Sequence, residues 1–299
     1  MTRVPDETGA MSGRDWAALW TVVFVWGINL VFVKTAVAEI PPLFALALRL
    51  MLVAALVAPF RRPSLALLPG VLLVSVLFAG LHWAMLFVAL KDMEAGTTTI
   101  LAQLGVPFSA LLGVVLFDDR LEWREAAGMG LAILGVGVLA GAPDAVPSVL
   151  PFLLAILSML AWAFGNAAVK WLGAVDPLML AGWVALLGTP QLLIVSFLVE
   201  DGQIAAARAA SWQAWASLAW VAVMSSIVAY SLWYGLVRRR PLGRLVPYKL
   251  LEPVIGVAGA VLLLNEGLTW QKLLGGLIVL AGVRVVHMAQ VRRARLDAA

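Results

Sequence analysis

A lysine, a carboxylate and a proline stand close together in an otherwise apolar run, Pro247 to Gly259, which reads PYKLLEPVIGVAG. Ionisable groups are costly in hydrocarbon and mark functional positions where they occur there. Lys249 and Glu252 are three apart, so on a helix they share a face and partly neutralise each other. Pro253 has no N–H for the carbonyl of Lys249 four residues back, so the helix is expected to bend or open at that point. The device occurs twice. In Thr97 to Gly113 (TTTILAQLGVPFSALLG), Pro107 strips the partner from the carbonyl of Gln103. Both prolines are therefore hinge candidates, each with a polar side chain on the residue whose carbonyl is freed.

Other polar and aromatic groups fall at middle depth in apolar runs: Trp26, Asn29, His82, Trp162, Asn166 and Tyr230. With Gln103, Lys249 and Glu252 they form the candidate substrate-binding set. Gln103 lies eight residues from Ala95, or about 12 Å along a helix, close to the bilayer midplane where secondary transporters place their sites. A cation and freed carbonyls suit the charged ends of a small zwitterion or polar metabolite, and aromatic rings suit its apolar body. Some members have a second reading. His82 is either a ligand contact or a neutral ring bonded to a neighbouring helix, and Trp26 and Trp162 line a cavity or pack between helices. Arg49 is a lone arginine in an apolar segment, either a functional group or a side chain that snorkels or pairs with a carbonyl. Lys34 and Lys170, each eight residues after a tryptophan, also read as interfacial anchors.

Catalytic chemistry finds little here. No HExxH, Gly-x-Ser-x-Gly, CxxC or GxxxxGK[ST] pattern occurs, which removes the common hydrolase and metal signatures and any ATP-driven pump domain within this chain. The aspartates at 92, 118, 119, 144, 176 and 201 fall at joints or run ends, and cysteine is absent. No cofactor and no metal ion is expected.

These groups are carried by a chain of 299 residues with 63% hydrophobic content, a mean hydropathy of +0.99 and only 13% charged residues. That is too little polar surface for a soluble globule, and the chain reads as an all-α integral membrane protein. A span needs about 20 apolar residues, and charged or proline-rich joints divide the chain into ten candidates: 15–37, 42–60, 65–90, 95–117, 124–141, 147–170, 177–199, 211–237, 241–264 and 269–289. The runs lack period-2 alternation, which excludes a transmembrane barrel. The first run exceeds 20 residues without a small-residue cleavage site and reads as a retained span. A pI near 9.8 reflects basic residues in short joints, so no nucleic-acid partner is implied. Of 21 lysines and arginines, 15 fall on the side of the N-terminus and four on the other. The positive-inside rule then puts both termini in the cytoplasm.

An internal duplication organises the runs. Asp119-Arg-Leu-Glu-Trp123 matches Glu266-Gly-Leu-Thr-Trp270 at a spacing of 147, and the match continues through Gly128 with Gly275 and Gly135 with Gly282. The turn-rich Gly141 to Pro147 separates the copies, giving repeats over 1–143 and 144–299 with five spans each. Five is odd, so the second copy enters the membrane from the opposite side, the inverted repeat that suits alternating access. The glycine-rich fifth and tenth runs read as close-packing helices, within a monomer or at a homodimer contact.

The paired Pro-x5-Gly, apolar run, acidic-x-Leu-x-Trp and following glycines resemble the EamA-type domains of the drug/metabolite transporter superfamily over nearly the whole chain. Within it the chain is most similar to the YddG-type exporters of amino acids and related metabolites, on the strength of Trp26, His82 and Trp162. The resemblance implies a ten-helix inner-membrane protein in which those three residues line a central cavity. The expected function is export of small metabolites, amino acids first, by a secondary transporter. The alternatives are export of other solutes such as organic cations or nucleotide-linked metabolites, an intramembrane enzyme, or a passive channel.

Overall fold

In a computed structural model, the described residues are 11–117, 122–140, 149–240, 245, 248–249 and 251–297. Asp119, the joint Gly141 to Pro147, and Pro247 and Leu250 of the opening stretch lie outside them. Among the described residues eight helical runs are long and apolar enough to cross a membrane: α1 Gly13–Val37, α2 Pro42–Phe60, α3 Leu65–Asp92, α4 Ala95–Phe117, α6 Val149–Leu172, α7 Pro177–Val199, α8 Trp212–Val237 and, over Trp270–Arg292, α10 Trp270–Asp297. Among the described residues two shorter helices lie between them in the order, α5 Trp123–Ala140 and α9 Glu252–Leu264. A connecting helix, Gln203–Ala209, joins α7 to α8. No strand occurs among the described residues. Large apolar side chains such as Val115, Leu134, Leu198 and Leu262 stand exposed on the outside, as expected of a multi-pass protein whose surface meets hydrocarbon.

The helix ends follow local chemistry. Ser12 caps α1 in a reciprocal box with Asp15, and Asp176 accepts from the N–H groups of Leu178 and Met179 at the start of α7. Proline opens α2 and α7, where its missing N–H costs nothing. Two helices are capped from a distance instead. Glu200 accepts from Leu43 and Phe44 N–H at 2.8 and 3.1 Å, and Glu266 accepts from Ala95 and Gly96 N–H at 2.6 and 2.9 Å. A carboxylate at a helix N-terminus satisfies orphan donors and the dipole together, and here each one ties the second half of the chain to the first.

The tightest packing joins α5 to α10. A Cβ on Gly128 would come within 2.8 Å of the Gly282 carbonyl, and one on Gly135 within 2.8 Å of the Gly275 carbonyl. Only glycine allows backbones to approach so closely. The expected close-packing pair is thus formed inside the chain.

Several spans depart from regular α-helix, beginning with α1, which is interrupted at Ile28 between Gly27 and Asn29. α4 tightens into a 3₁₀ stretch at Ala102–Leu104, where Pro107 was expected to disturb the backbone around Gln103. α3 and α8 each contain a π-helical stretch, Val76–Trp83 and Val221–Ala229. Such stretches occur often at functional sites.

Candidate functional site

Backbone contact between α1 and α9 assembles the first group of side chains. A Cβ on Gly27 would lie 2.9 Å from the Glu252 carbonyl, and one on Gly256 would lie 2.8 Å from the Gly27 carbonyl. This approach sets Trp26, next in sequence, beside Lys249 and Glu252. The Lys249 ammonium lies 4.3 Å from the centroid of Trp26 and 4.9 Å from that of Trp233, within the range of cation–π attraction. It is 3.6 Å from Glu252 Oε1, an ion pair but too long for a hydrogen bond, and that oxygen is buried without a hydrogen-bond partner. Tyr230 packs edge-on to Trp26 with centroids 5.1 Å apart. The Trp26 indole N–H donates 3.2 Å to the Ser225 carbonyl in the π-helical stretch of α8. Trp26, Tyr230, Lys249 and Glu252 are therefore one cluster. Trp233 belongs to it as well, and its spacing of three from Tyr230, one helical turn, was the signal available for it.

Arg49 and His82 form a second group on α2, α3 and α8. The Arg49 guanidinium stacks over Trp83 at 4.8 Å and lies 5.8 Å from the Phe87 centroid. Its Nη2 donates 2.9 Å to Ser226 Oγ, which in turn donates 3.1 Å to the Val221 carbonyl. The His82 ring is buried, with Nδ1 2.9 Å from the Ser158 carbonyl on α6. A carbonyl only accepts, so Nδ1 carries the proton. This geometry matches the packing alternative for His82, a ring bonded to a neighbouring helix.

The remaining candidates are not drawn into either group by hydrogen bonds. Asn29 buries an unpartnered Oδ1. Trp162 packs its ring against Gly105 of α4, while Asn166 is exposed and bonds its own helix at the Trp162 carbonyl, 2.8 Å away. Gln103 is half-buried in the 3₁₀ stretch, and Pro107 is buried two residues beyond the start of the following turn. Pro253 is the second residue of α9, with Leu251 in a turn before it. It opens a helix rather than kinking one, because the first turn needs no donor at that position.

Charged groups close both ends of the bundle. At the end reached by the C-terminus of α1, Lys272 pairs with Glu94 at 2.6 Å, and Lys34 donates to the carbonyls of Leu90 and Lys91 at 2.8 and 2.9 Å. Glu39 meets Ser211 there. A cavity of about 350 Å3 between these groups is lined by Lys34, Glu39, Glu94 and Glu266 among others. Burial pushes the Glu266 carboxyl upward from the usual carboxylate range, against the bonds from Gly96 and Ala95. At the opposite end Asp15 pairs with Arg240 at 2.7 Å, Arg61 pairs with Asp176, and Lys170 lies 3.6 Å over the Phe117 ring. Sequence reasoning treated most of these as joint residues, since pairings between distant joints leave no local pattern.

The sequence pattern of the EamA-like transporter family matches residues 16–141 and 149–288. The chain belongs to that family. It is 33% identical over 298 residues to a probable amino-acid metabolite efflux pump of Salmonella typhimurium, covering 95% of this chain and 98% of the relative. A protein of the same description from Escherichia coli K12 is 33% identical over 92% of this chain and 95% of its own. A solved crystal structure superposes with a TM-score of 0.58 at 19% identity over 94% of this chain and 99% of that one, a likeness of fold. As an EamA-family member, the chain is a multi-pass membrane transporter and not an enzyme.

Proposed function

We propose that this transporter exports small metabolites, amino acids in the first place, across the inner membrane by alternating access, as a ten-span protein of two inverted five-helix repeats with both termini cytoplasmic. The observation that carries the reading is the Lys249–Glu252 pair boxed by Trp26 and Trp233. It offers a cation, a carboxylate oxygen with an open hydrogen-bonding position, and aromatic faces at one place on the boundary between the halves. Those are the groups a zwitterion with an apolar side chain requires, and such sites lie between the repeats of secondary transporters. The efflux-pump names of the relatives at 33% identity support the same direction and substrate class.

Two further features support the inverted repeat. Gly128 corresponds to Gly275 and Gly135 to Gly282 in the sequence duplication. The contacts run Gly128 to Gly282 and Gly135 to Gly275, so each is the image of the other when the halves are exchanged, as at a two-fold axis. The π-helical stretches likewise fall in the third helix of each half. In this reading the candidate residues Asn29, Gln103, Trp162 and Asn166 face the substrate pathway at other stages of the cycle, His82 keeps α3 against α6, and Pro107 within α4 and Pro253 at the start of α9 mark where the spans flex.

The test is counterflow in proteoliposomes with a panel of amino acids, organic cations and nucleotide sugars. Accumulation of labelled amino acid against unlabelled internal amino acid is expected, and its absence across the panel sinks the reading. Selective movement of organic cations would favour a second reading, for which the aromatic faces around an ammonium are the specific observation.

A further inference from the structure

Arg49 sits at the eighth position of the 16-residue helical core of α2, Pro42–Val57, about 10 Å from its start. It is 4% exposed, so it does not snorkel. Its terminal nitrogen turns inward to Ser226, and its Nε is buried with no hydrogen-bond partner. Among the described residues no carboxylate lies within ion-pair distance of it. The ionisable groups that act on it electrostatically are Tyr230 and His82. Neither supplies a negative charge at neutral pH. A buried guanidinium with one hydrogen bond, two aromatic neighbours and no counter-ion is strongly disfavoured. Such a group is a candidate functional site, and its missing counter-ion makes it one for an incoming anion.

We propose that Arg49 is the anchor for the carboxylate of the transported molecule, in a site built by α2, α3 and α8. The inference rests on the export reading in that the carboxylate is the cargo's own. The free Nε and its neighbouring N–H edge present the forked donor geometry that a carboxylate takes bidentately. Trp83 and Ser226, which hold the guanidinium in place, come from the two π-helical stretches, so the irregular turns have a purpose: they deliver a ring and a hydroxyl to one side chain. Ser226 holds Arg49, while the adjacent Ser225 carbonyl and Tyr230 meet Trp26 of the other group. The proposed anchor and the Lys249–Glu252 pair are therefore both tied to α8, the one offering a positive pole and the other a free carboxylate oxygen. An α-amino acid carries the complementary poles.

The test uses full-length purified protein and thermal unfolding with leucine, methionine and phenylalanine, each against its amide, which keeps the ammonium and side chain and loses only the carboxylate. The wild type should be stabilised by at least one acid more than by its amide. In Arg49→Gln that preference should vanish, and the empty variant should unfold at or above the wild-type temperature because an unpaired buried charge has been removed. A structural arginine would instead give a variant that unfolds lower with its ligand preference intact. Should Arg49→Gln fail to fold, Arg49→Lys and Ser226→Ala carry the test. Each should weaken acid binding roughly tenfold while leaving amide binding unchanged, since an ammonium or a misaligned guanidinium loses the fork. Equal action of acid and amide on the wild type, a preference that survives Arg49→Gln, or equal losses for both ligands in the conservative variants overturns the assignment. Preference without counterflow would remove the export reading and keep the anchor, and counterflow without preference would do the reverse.

Discussion

Holding a lysine ammonium over two indole rings and near a carboxylate divides the cost of dehydrating it among several partners. Lys249→Met should therefore weaken amino-acid binding by about tenfold without unfolding the protein, as partial loss of a charge contact does; unchanged affinity in a binding titration would remove Lys249 from the site. A different logic holds at the start of α7. Burial raises the Asp176 carboxyl, but the bonds from Arg61, Leu178 and Met179 outweigh it and hold the group below its ordinary value. A folded pKa below the unfolded one gives stability that is complete above about pH 4 and lost as pH falls through the folded value. Asp176→Asn should thus lower the unfolding temperature at neutral pH, and the gap to wild type should narrow in acid; a gap that is constant with pH would show that the charge is not the cause. Lys249 and Glu252 were legible in the sequence because charges stand out in apolar runs. The setting of Arg49 was not, since Ser226 is 177 residues away, and no local pattern distinguishes a caged guanidinium from a snorkelling one.

The positions of eight spans were also legible, because hydropathy reports length directly, and the interruptions were legible in part. Proline announced the 3₁₀ stretch of α4 and the break before α9, although the described helix of α9 begins at Glu252 where the sequence suggested a continuous run from 241. The π-helical stretches of α3 and α8 contain no proline and were invisible. What they do is visible only in three dimensions, where Trp83 and Ser226 from these stretches meet Arg49. The prolines should affect rate more than affinity. In the Pro107→Ala, Pro253→Ala double variant, α4 gains a donor at residue 107 while alanine at 253 remains acceptable in a first turn, so most of the effect should come from Pro107. Counterflow should slow by about tenfold with little change in apparent affinity, as when a conformational step is stiffened. Full-speed transport would show that α4 is a static element.

For the whole molecule, the duplication forecasts what a single helix cannot: two halves that meet by glycine in the middle and by charge at the ends. The 15-to-4 distribution of basic residues predicts that a C-terminal reporter enzyme active only in the periplasm stays silent, and strong activity would overturn the inverted-repeat argument. Alternating access makes a further demand, that ties between the halves at one end break while those at the other form. Glu94 with Lys272 ties them at one end, and Arg61 with Asp176 at the other. The chain has no cysteine, so introduced thiols can be bridged without background. Long side chains meeting head to head hold their Cα atoms farther apart than a disulfide spans, so a short bifunctional thiol reagent is the appropriate link. A cysteine pair at 94 and 272 should lose transport when bridged and regain it when a cleavable reagent is cut, and a pair at 61 and 176 should behave the same way. The unbridged pairs should retain most of their activity, since the Arg61–Asp176 pair is exposed and contributes little to stability, and replacing both partners of the largely buried Glu94–Lys272 pair leaves no unpaired charge behind. If bridging at one end leaves counterflow intact, that end does not open during the cycle, and a channel gated from the other side alone would describe the protein better than alternating access.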